Sequence, residues 1–279
     1  MDRIAIISDI HSNLEALKTV LKDIEKRGIT RIFCLGDIIH KGVNHRQCLD
    51  LVKEYCEVIL RGNCDEYFSK EHEFLDEYSE TERNRILWNR SILNDEQRKY
   101  LLNLPYCFEF YMSGSLVRLF HATSEKIDGF ISNLDSIEKK RSLFMPSSNT
   151  ISQDIADIVI YGHLHAQYLE RIYNRTLVNV GSVGNPIDTV RNDNFDSDTR
   201  QTTQANYLII EGNYGSQTYD DSISFQFIKV PYDIAKELSS EINNPEKEDY
   251  EVELTQGKYR DMKKLVKSFK ERNIDMDKF

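Results

Sequence analysis

The stretch Ile4-Ala5-Ile6-Ile7-Ser8-Asp9-Ile10-His11 decides the fold, because a short apolar run passes directly into polar side chains with chemical potential. Four consecutive apolar residues are typical of a strand that is covered on both faces. A helix is expected next, since leucines recur at helical spacing from Leu14, and Ser12 with Glu15 has the pattern of an N-terminal capping box. The stretch therefore predicts a strand-to-helix unit of an α/β fold.

The same unit recurs further along the chain. Apolar runs at Ile32–Leu35 and Val58–Leu60 flank a helical pattern over Cys48–Tyr55, and this β-α-β-α-β order predicts a parallel sheet. The charged stretch 66–104 has helical composition and is expected to cover the sheet as a solvated layer. Further runs of strand character are Cys107–Met112, Leu116–His121, Ile158–Tyr161, Tyr168–Tyr173, Thr176–Val180, Tyr207–Glu211 and Ser224–Val230.

Length and composition narrow the class of protein. The 279 residues suffice for one large domain or two small ones, and 40% hydrophobic residues exclude a disordered chain. A formal charge of −10 disfavours a protein that scans nucleic acid. Five cysteines without paired CxxC spacing are expected to be reduced thiols. With no signal peptide and no membrane span expected, we predict a cytoplasmic protein.

Polar residues follow the apolar runs directly, and they come from five separate strand ends. The side chains concerned are Asp9, His11, Asp37, Asn63, His121, His163 and His165. Ligand sites of open α/β sheets lie at the carboxyl ends of strands, so we expect these seven side chains to converge. Two carboxylates, one amide oxygen and four imidazoles form a mixed N/O donor set. Such a set suits divalent manganese, iron, zinc or nickel and does not suit a thiolate cluster.

These residues resemble the motif blocks of the calcineurin-like metallophosphoesterases. The matching blocks are Asp9-x-His11, Gly36-Asp37, Gly62-Asn63, His121 and Gly162-His163-x-His165. The stretch Asn179-Val180-Gly181-Ser182-Val183-Gly184-Asn185-Pro186 resembles a further block of the small bacterial phosphodiesterase branch. The resemblance covers residues 1–230, which we take as the metallophosphoesterase domain. It implies a four-layer αββα sandwich, in which two mixed sheets lie face to face with helices outside.

The resemblance also implies a role for each matching residue. One divalent ion would be held by Asp9, His11 and His165. The other would be held by Asn63, His121 and His163. Asp37 would bridge the two ions, for which manganese is the first expectation and iron, zinc or nickel are alternatives. Asp9, Asp37, Asn63 and His121 would thereby be catalytic.

Two ions held about 3.5–4 Å apart would lower the pKa of a bound water to about 7. The resulting bridging hydroxide would attack phosphorus in line with the leaving group. Two divalent ions with the two carboxylates leave the site with a local charge of +2, which outweighs the distant negative surface.

The sequence departs from the broader family at Cys64, where many members carry a histidine that is thought to protonate the leaving group. A thiol is a poorer acid at neutral pH, so we expect substrates with good leaving groups, such as phosphoanhydrides, nucleotide esters or activated diesters. We predict contacts with substrate from Asn63, Cys64, His40 and Arg191. For His40 and Arg191 the alternative is an ordinary position on a surface loop, and His45 is expected to be a solvated helix residue.

Two segments have more than one interpretation. The segment 181–184 would either present backbone N–H groups to phosphate or form a tight structural turn. Residues 231–279 are expected to form a helical appendage that packs on the same domain, and they resemble the C-terminal extension of bacterial asymmetric diadenosine-tetraphosphate hydrolases. The implied substrate is then a small nucleotide, diadenosine polyphosphates included, and a homo-oligomer is compatible with the appendage.

Three functions compete at this point. The first is a two-metal phosphodiesterase or phosphohydrolase that acts on a small soluble phosphoester. The second is a non-catalytic metal-binding scaffold for protein interaction, as known for one relative with this fold, but all seven ligand positions are filled here. The third is a nuclease, against which the acidic charge and the lack of a basic, aromatic-interleaved stretch argue, so no stable nucleic-acid complex is expected.

Overall fold

A computed structural model describes residues 1–187, 203–240 and 243–257. The ten strands of the described residues are β1 Asp2–Ile7, β2 Arg31–Cys34, β3 Val58–Ile59, β4 Cys107–Met112, β5 Ser115–Phe120, β6 Ile158–Tyr161, β7 Gln167–Ile172, β8 Arg175–Val180, β9 Ala205–Gly212 and β10 Ser224–Val230. The helices are α1 Leu14–Lys26, α2 His45–Tyr55, α3 Asn63–Ser69, α4 Glu80–Ile92, α5 Asp95–Leu102, α6 Ile137–Ser142, α7 Ile234–Ser239 and α8 Lys247–Gln256.

The strands form two mixed sheets of five strands each. The first sheet has the order β10-β9-β1-β2-β3, with β1, β2 and β3 parallel and the β1–β9 and β9–β10 pairs antiparallel. The second has the order β4-β5-β6-β8-β7, with β5, β6 and β8 parallel and both edge pairs antiparallel. The parallel centre of each sheet follows from the crossovers that the apolar runs predicted.

The side chains of β1 show how the layers are packed. Ile4 and Ile6 belong to the core between the two sheets, together with residues of β5, β6 and β8. Ala5 and Ile7 point to the opposite face, where they pack against α1 and α2. A third cluster on the far side of the second sheet includes Leu143, which follows α6. The predicted four-layer α/β sandwich is therefore confirmed.

The start of α1 differs from the prediction. The N-cap is Asn13, whose Oδ1 accepts a hydrogen bond from the Ala16 N–H at 3.0 Å. Ser12 has a backbone φ of +58° and its hydroxyl lies 3.0 Å from Nδ1 of His45 on α2. Because the side chain of Ser12 contacts α2, the next residue, Asn13, caps α1 instead.

The described part of the segment 231–257 contacts the rest of the chain through both of its helices. On α7, Glu237 accepts a hydrogen bond from the backbone N–H of Glu15, at the start of α1. On α8, Glu253 forms a salt bridge of 3.0 Å with Lys41. Among the described residues, no helix has the length and apolar character that crossing a membrane requires.

Candidate active site

The candidate ligands lie where the strands of both sheets end, and most of them have unusual backbone angles. Positive φ values between 50° and 66° are found at Asp9, His11, Asp37, His163 and His165. Residues other than glycine rarely adopt this left-handed region, and such conformations cluster at functional sites. The loops are therefore shaped to aim these side chains inward, and this feature could not be read from residue types.

One half of the site is formed by two histidines and a carboxylate. The Nε2 atoms of His11 and His165 lie 3.0 Å apart, and Oδ1 of Asp9 lies 3.3 Å from Nε2 of His165 and 3.8 Å from Nε2 of His11. Nδ1 of His165 donates a hydrogen bond to the carbonyl oxygen of Asn185 at 2.6 Å. A neutral imidazole carries one proton, so Nε2 of His165 presents a lone pair to the site.

The other half repeats this arrangement with an amide. Nδ1 of His121 donates a hydrogen bond to the carbonyl oxygen of Leu35 at 2.9 Å, and its Nε2 lies 2.9 Å from Oδ1 of Asn63. The ring of His163 lies 5.2 Å from that of His121, centroid to centroid, and its backbone N–H donates to Oδ2 of Asp9. Again, two atoms that could each bind a cation lie close to each other.

Asp37 lies between the two halves. Its Oδ2 is 3.7 Å from Nε2 of His11, and its Oδ1 is 3.5 Å from Nε2 of His121. Oδ1 also accepts a hydrogen bond of 2.7 Å from the backbone N–H of Cys64. Each carboxylate oxygen thus faces one histidine of a different half, as a bridging ligand would.

The donor set fits divalent cations. Within the described residues, the buried Oδ1 of Asp9 has no hydrogen-bond partner. Ligand atoms of Asp9, His11 and His165 lie within 4.8 Å of one another, and so do those of Asp9, Asp37 and His121. Buried polar atoms gathered this closely are costly unless protons or a cation lie among them. Imidazole nitrogens and carboxylate oxygens are the donors that borderline divalent metals accept.

Burial and mutual charge set the protonation of the site. Burial lowers the pKa of His163 to about 3 and that of His11 well below its ordinary value. Burial alone would raise the pKa of Asp9, but the nearby imidazoles of His165 and His121 lower it. His11 and His163 are therefore held as neutral imidazoles, as metal binding needs, whereas the pKa of His121 is raised, because the charges of Asp37 and Asp9 outweigh the lowering effect of its burial.

Close backbone packing holds the strand ends in place. A Cβ atom added to Gly162 would lie 2.1 Å from Oγ of Ser8, so this position admits only glycine. The loop after β6 in the second sheet therefore lies directly against the end of β1 in the first. This contact brings His163 beside Asp9.

Asp65 is a structural residue of the site that the motif search did not single out. Its Oδ1 accepts hydrogen bonds from the backbone N–H groups of Ile38 and Ile39, and its Oδ2 accepts one from Gly62. The carboxylate thus joins the loop that carries Asp37 to the start of α3. Asp65 directly follows the Asn63-Cys64 pair in the sequence, and this position beside a motif block was the signal that could have indicated its role.

Cys64 is buried beside Asp37, with its backbone N–H bonded to that carboxylate. Burial raises the pKa of the Cys64 thiol well above its ordinary value, and the charge of Asp37 acts in the same direction. Cys64 is therefore a neutral thiol at the site.

His40 and His45 lie elsewhere than on the surface. His40 is buried, its ring lies 4.3 Å from that of Phe68, and its Nδ1 lies 3.3 Å from Oδ1 of Asn89. The surface-loop alternative for His40 is wrong, since its ring is 6.3 Å from that of His11. The expectation of a solvated His45 is also wrong, because this residue is fully buried and hydrogen-bonded to the same Asn89. Both errors arise because α4 covers this region.

Two further candidates have different outcomes. Arg191 lies outside the described residues, so its contact with substrate stays a prediction. In the segment 181–184, the N–H of Val183 donates to the carbonyl of Ser8 and that of Gly184 to the carbonyl of Asp9. These two N–H groups are used within the fold, which favours the structural turn over phosphate binding.

Comparison with known proteins agrees with this geometry. The model of the calcineurin-like phosphoesterase superfamily domain matches residues 2–195. An uncharacterized protein of Methanocaldococcus jannaschii is 30% identical over 256 residues, which cover 86% of this chain and 92% of that protein.

Two solved structures share the fold. A metallophosphoesterase from Sphaerobacter thermophilus has a TM-score of 0.67 at 23% identity, covering 92% of this chain and 99% of that one. A hypothetical protein from Pyrococcus horikoshii has a TM-score of 0.71 at 16% identity, covering 93% of this chain and 100% of that one. With most of its length matched by the family model, the chain belongs to the calcineurin-like phosphoesterase superfamily.

Proposed function

We propose that the chain is a hydrolase of phosphodiesters or phosphoanhydrides that works with two divalent ions, manganese being the first candidate. The observation that carries the proposal is the close approach of possible ligand atoms in two places, Nε2 of His11 to Nε2 of His165 and Nε2 of His121 to Oδ1 of Asn63. Asp37 lies between these two places with one oxygen toward each. The superfamily match supports phosphoester chemistry at such a centre.

We assign each residue of the site a separate role, and the geometry supports this assignment. When bound, a pair of divalent ions supplies a water of lowered pKa and neutralises charge on the phosphoryl group. Asp37 sets the spacing of the two halves, because it contacts both. Asp9 holds the loop of His163 through its Oδ2 while its Oδ1 faces the opposite histidine pair. The amide of Asn63, half-buried at the start of α3, is placed to contact both a metal and the substrate.

The leaving group is the point on which we base the substrate class. The position after Asn63 holds a buried thiol whose raised pKa makes it a weak proton donor at neutral pH. A leaving group that needs little protonation is then favoured, since a phosphate-type oxygen titrates near about 6. We therefore propose small nucleotide substrates with phosphoanhydride bonds, diadenosine polyphosphates among them.

The activity itself is tested with bis-p-nitrophenyl phosphate and added Mn²⁺. We expect turnover that a chelator abolishes, and a loss of about 10³-fold or more in Asp37→Asn, since several kcal/mol of metal-based stabilisation would disappear. Asp221→Asn, at an exposed carboxylate far from the site, is the matched control and should match the wild type. Chelator-resistant turnover, or full activity in Asp37→Asn, would refute the proposal.

The substrate class is tested by comparing diadenosine tetraphosphate with a dialkyl phosphodiester at equal concentration. We expect faster turnover of the dinucleotide, and equal or reversed rates would refute the leaving-group argument. Metal binding without turnover of any ester would favour the scaffold alternative. Cleavage of single-stranded DNA that persists at high salt would favour the nuclease alternative.

A further inference from the structure

We propose that Glu253 on α8 is a positioning residue of the metal centre, which acts through Asn185 on the imidazole of His165. The inference rests on the metal role proposed for His165 and adds the C-terminal segment to the site. Glu253 itself lies beyond residue 195, where the match to the superfamily model ends.

The contacts form a closed buried ring. Oε2 of Glu253 accepts hydrogen bonds from Nδ2 of Asn185 at 3.1 Å and from Nζ of Lys41 at 3.0 Å. Nζ of Lys41 also donates to Oδ1 of Asn185 at 2.8 Å. Each of the three side chains therefore bonds to the other two, and the amide of Asn185 is held in a single orientation.

His165 is attached to this ring on its far side. Its Nδ1 donates to the carbonyl oxygen of Asn185 at 2.6 Å and lies 3.2 Å from the Oδ1 of the same residue. That hydrogen bond keeps the proton on Nδ1 and the lone pair of Nε2 toward His11. A displaced Asn185 would free the imidazole to rotate or to change tautomer.

Burial makes the ring depend on its carboxylate. Glu253 is 2% exposed and Lys41 is 7% exposed, so neither charge has water as an alternative partner. Charges in such places persist only when paired and hydrogen-bonded. Asn244, also in the C-terminal segment, donates from Nδ2 to the carbonyl of Lys41 at 2.6 Å. The segment therefore fixes both the side chain and the backbone of Lys41, four residues after Asp37.

A second buried glutamate of the same segment offers a matched control. Glu237 on α7 is 1% exposed and accepts a hydrogen bond from the Glu15 N–H at the start of α1. It attaches the segment to the fold through Glu15 and through Nδ2 of Asn44 at 3.5 Å, and neither of these partners is a metal-ligand candidate. Its loss should change stability without changing metal binding.

The test is a titration of the metal-free full-length chain with Mn²⁺ alone. Calorimetry and electron paramagnetic resonance detect the binding. The variant is Glu253→Leu combined with Lys41→Met, which removes both charges of the pair and leaves neither unpaired. We expect about 10-fold weaker binding at one of two sites, the usual scale for the loss of a group that orients a ligand. Glu237→Leu should bind as the wild type does, and Glu253→Gln combined with Lys41→Met, which keeps an acceptor for Asn185 and leaves no charge unpaired, should keep most of the affinity.

A cycle with His165→Ala separates positioning from a general structural effect. If Glu253 acts through His165, the paired substitution costs no further affinity once that imidazole is gone. Equal losses with and without His165, or equal losses at both sites, would overturn the proposal. Should the paired variant fail to fold, Glu253→Asp replaces it, with the same selective loss expected and unchanged affinity as the contradicting result.

Binding is measured without turnover, so this inference and the proposed function fail in different ways. Normal manganese binding in all Glu253 variants refutes the positioning role alone. Manganese binding without hydrolysis refutes the proposed function and leaves the positioning role standing. A wild-type chain that binds neither manganese nor iron, zinc or nickel refutes both.

Discussion

At the scale of single residues, the position of a proton on each imidazole decides what the site can bind. His121 and His165 each donate a hydrogen bond from Nδ1 to a backbone carbonyl, that of Leu35 and that of Asn185 respectively. The backbone thereby fixes the tautomer, and Nε2 is left as a donor to a metal. A sequence shows that a histidine is present but does not show which nitrogen faces the site.

Cys64 carries the residue-scale prediction. Replacing the weakly acidic thiol by an imidazole in Cys64→His should speed hydrolysis of esters with poor leaving groups by about 10²-fold, the lower range for general acid catalysis. Esters with good leaving groups should change little, because they need no proton. The measurement is a plot of log kcat/KM against leaving-group pKa for a series of aryl phosphodiesters.

The slope of that plot shows whether the enzyme protonates the leaving oxygen. We expect a steep negative slope in the wild type and a shallower one in Cys64→His. Cys64→Ser, which is similar in size and lacks an acidic proton, is the control and should keep the steep slope. A wild-type slope near zero would show that another group already protonates the leaving oxygen.

At the scale of elements, α4 is joined to the loop of the site by a buried hydrogen-bond chain. Oδ1 of Asn89 on α4 accepts from Nε2 of His45 at 2.8 Å and lies 3.3 Å from Nδ1 of His40. The other nitrogen of His45 lies 3.0 Å from the hydroxyl of Ser12, next to His11. The helical layer therefore supports the ligand loops as well as covering the sheet.

This chain predicts a pH dependence of stability. Burial lowers the pKa of His45 from 6.5 to about 4, so between these values the unfolded chain binds a proton that the folded chain excludes. Stability should fall as the pH decreases through this window, by on the order of 3 kcal/mol, and level off below it. Urea unfolding of the wild type and His45→Gln between pH 7 and 4 measures the effect.

The comparison isolates His45 from the other titrating groups. The variant should be less stable at pH 7 but lose less stability on acidification, so the two curves converge near pH 4. Ser91→Ala, at an exposed position of α4 that carries no titratable group, should run parallel to the wild type. Parallel curves for His45→Gln would contradict the buried neutral state.

The elements were predictable where one local pattern decides them. The apolar run of β1 is buried on both faces, as its composition predicts. The cap of α1 was not, because Ser12 and Asn13 are both good N-cap residues and the choice depends on His45, 33 residues further on. The role of α4 was missed for the same reason, because the contacts of Asn89 with His45 and His40 form only in the folded chain.

At the scale of the whole molecule, the site exists only because the strand ends of the two face-to-face sheets lie next to each other. The turn after β8 bonds to the end of β1 through the N–H groups of Val183 and Gly184. A Cβ atom added to Gly184 would lie 1.7 Å from the carbonyl oxygen of Ile10, which belongs to the backbone and cannot move aside. The relative placement of the strand ends that carry the candidate ligands therefore depends on this glycine.

Gly184→Ala should destabilise the chain by about 3 kcal/mol or more and weaken Mn²⁺ binding in the fraction that folds. The control is Gly28→Ala, where φ is +68° and nothing lies within 4 Å of the added Cβ, so only the backbone cost of about 1 kcal/mol applies. Chemical denaturation and a manganese titration measure both effects. A Gly184→Ala chain as stable as the control would contradict the proposed contact.

The sequence predicted the fold and the convergence of the seven side chains, because each ligand directly follows a strand and strand ends share an edge. It could not predict the support of that site by the C-terminal segment. Glu253 lies 68 residues from Asn185 and 212 from Lys41, and a glutamate on a polar helix has no local signal. Contacts of this kind arise from tertiary packing alone.

The most direct test of the account is the anomalous difference density of a crystal soaked in Mn²⁺. We predict two peaks per chain about 3.5–4 Å apart, with one oxygen of Asp37 at each. His11 and His165 should contact one peak, and His121 and Asn63 the other. A site without density, or a single peak that Asp37 does not contact, would contradict the two-metal centre.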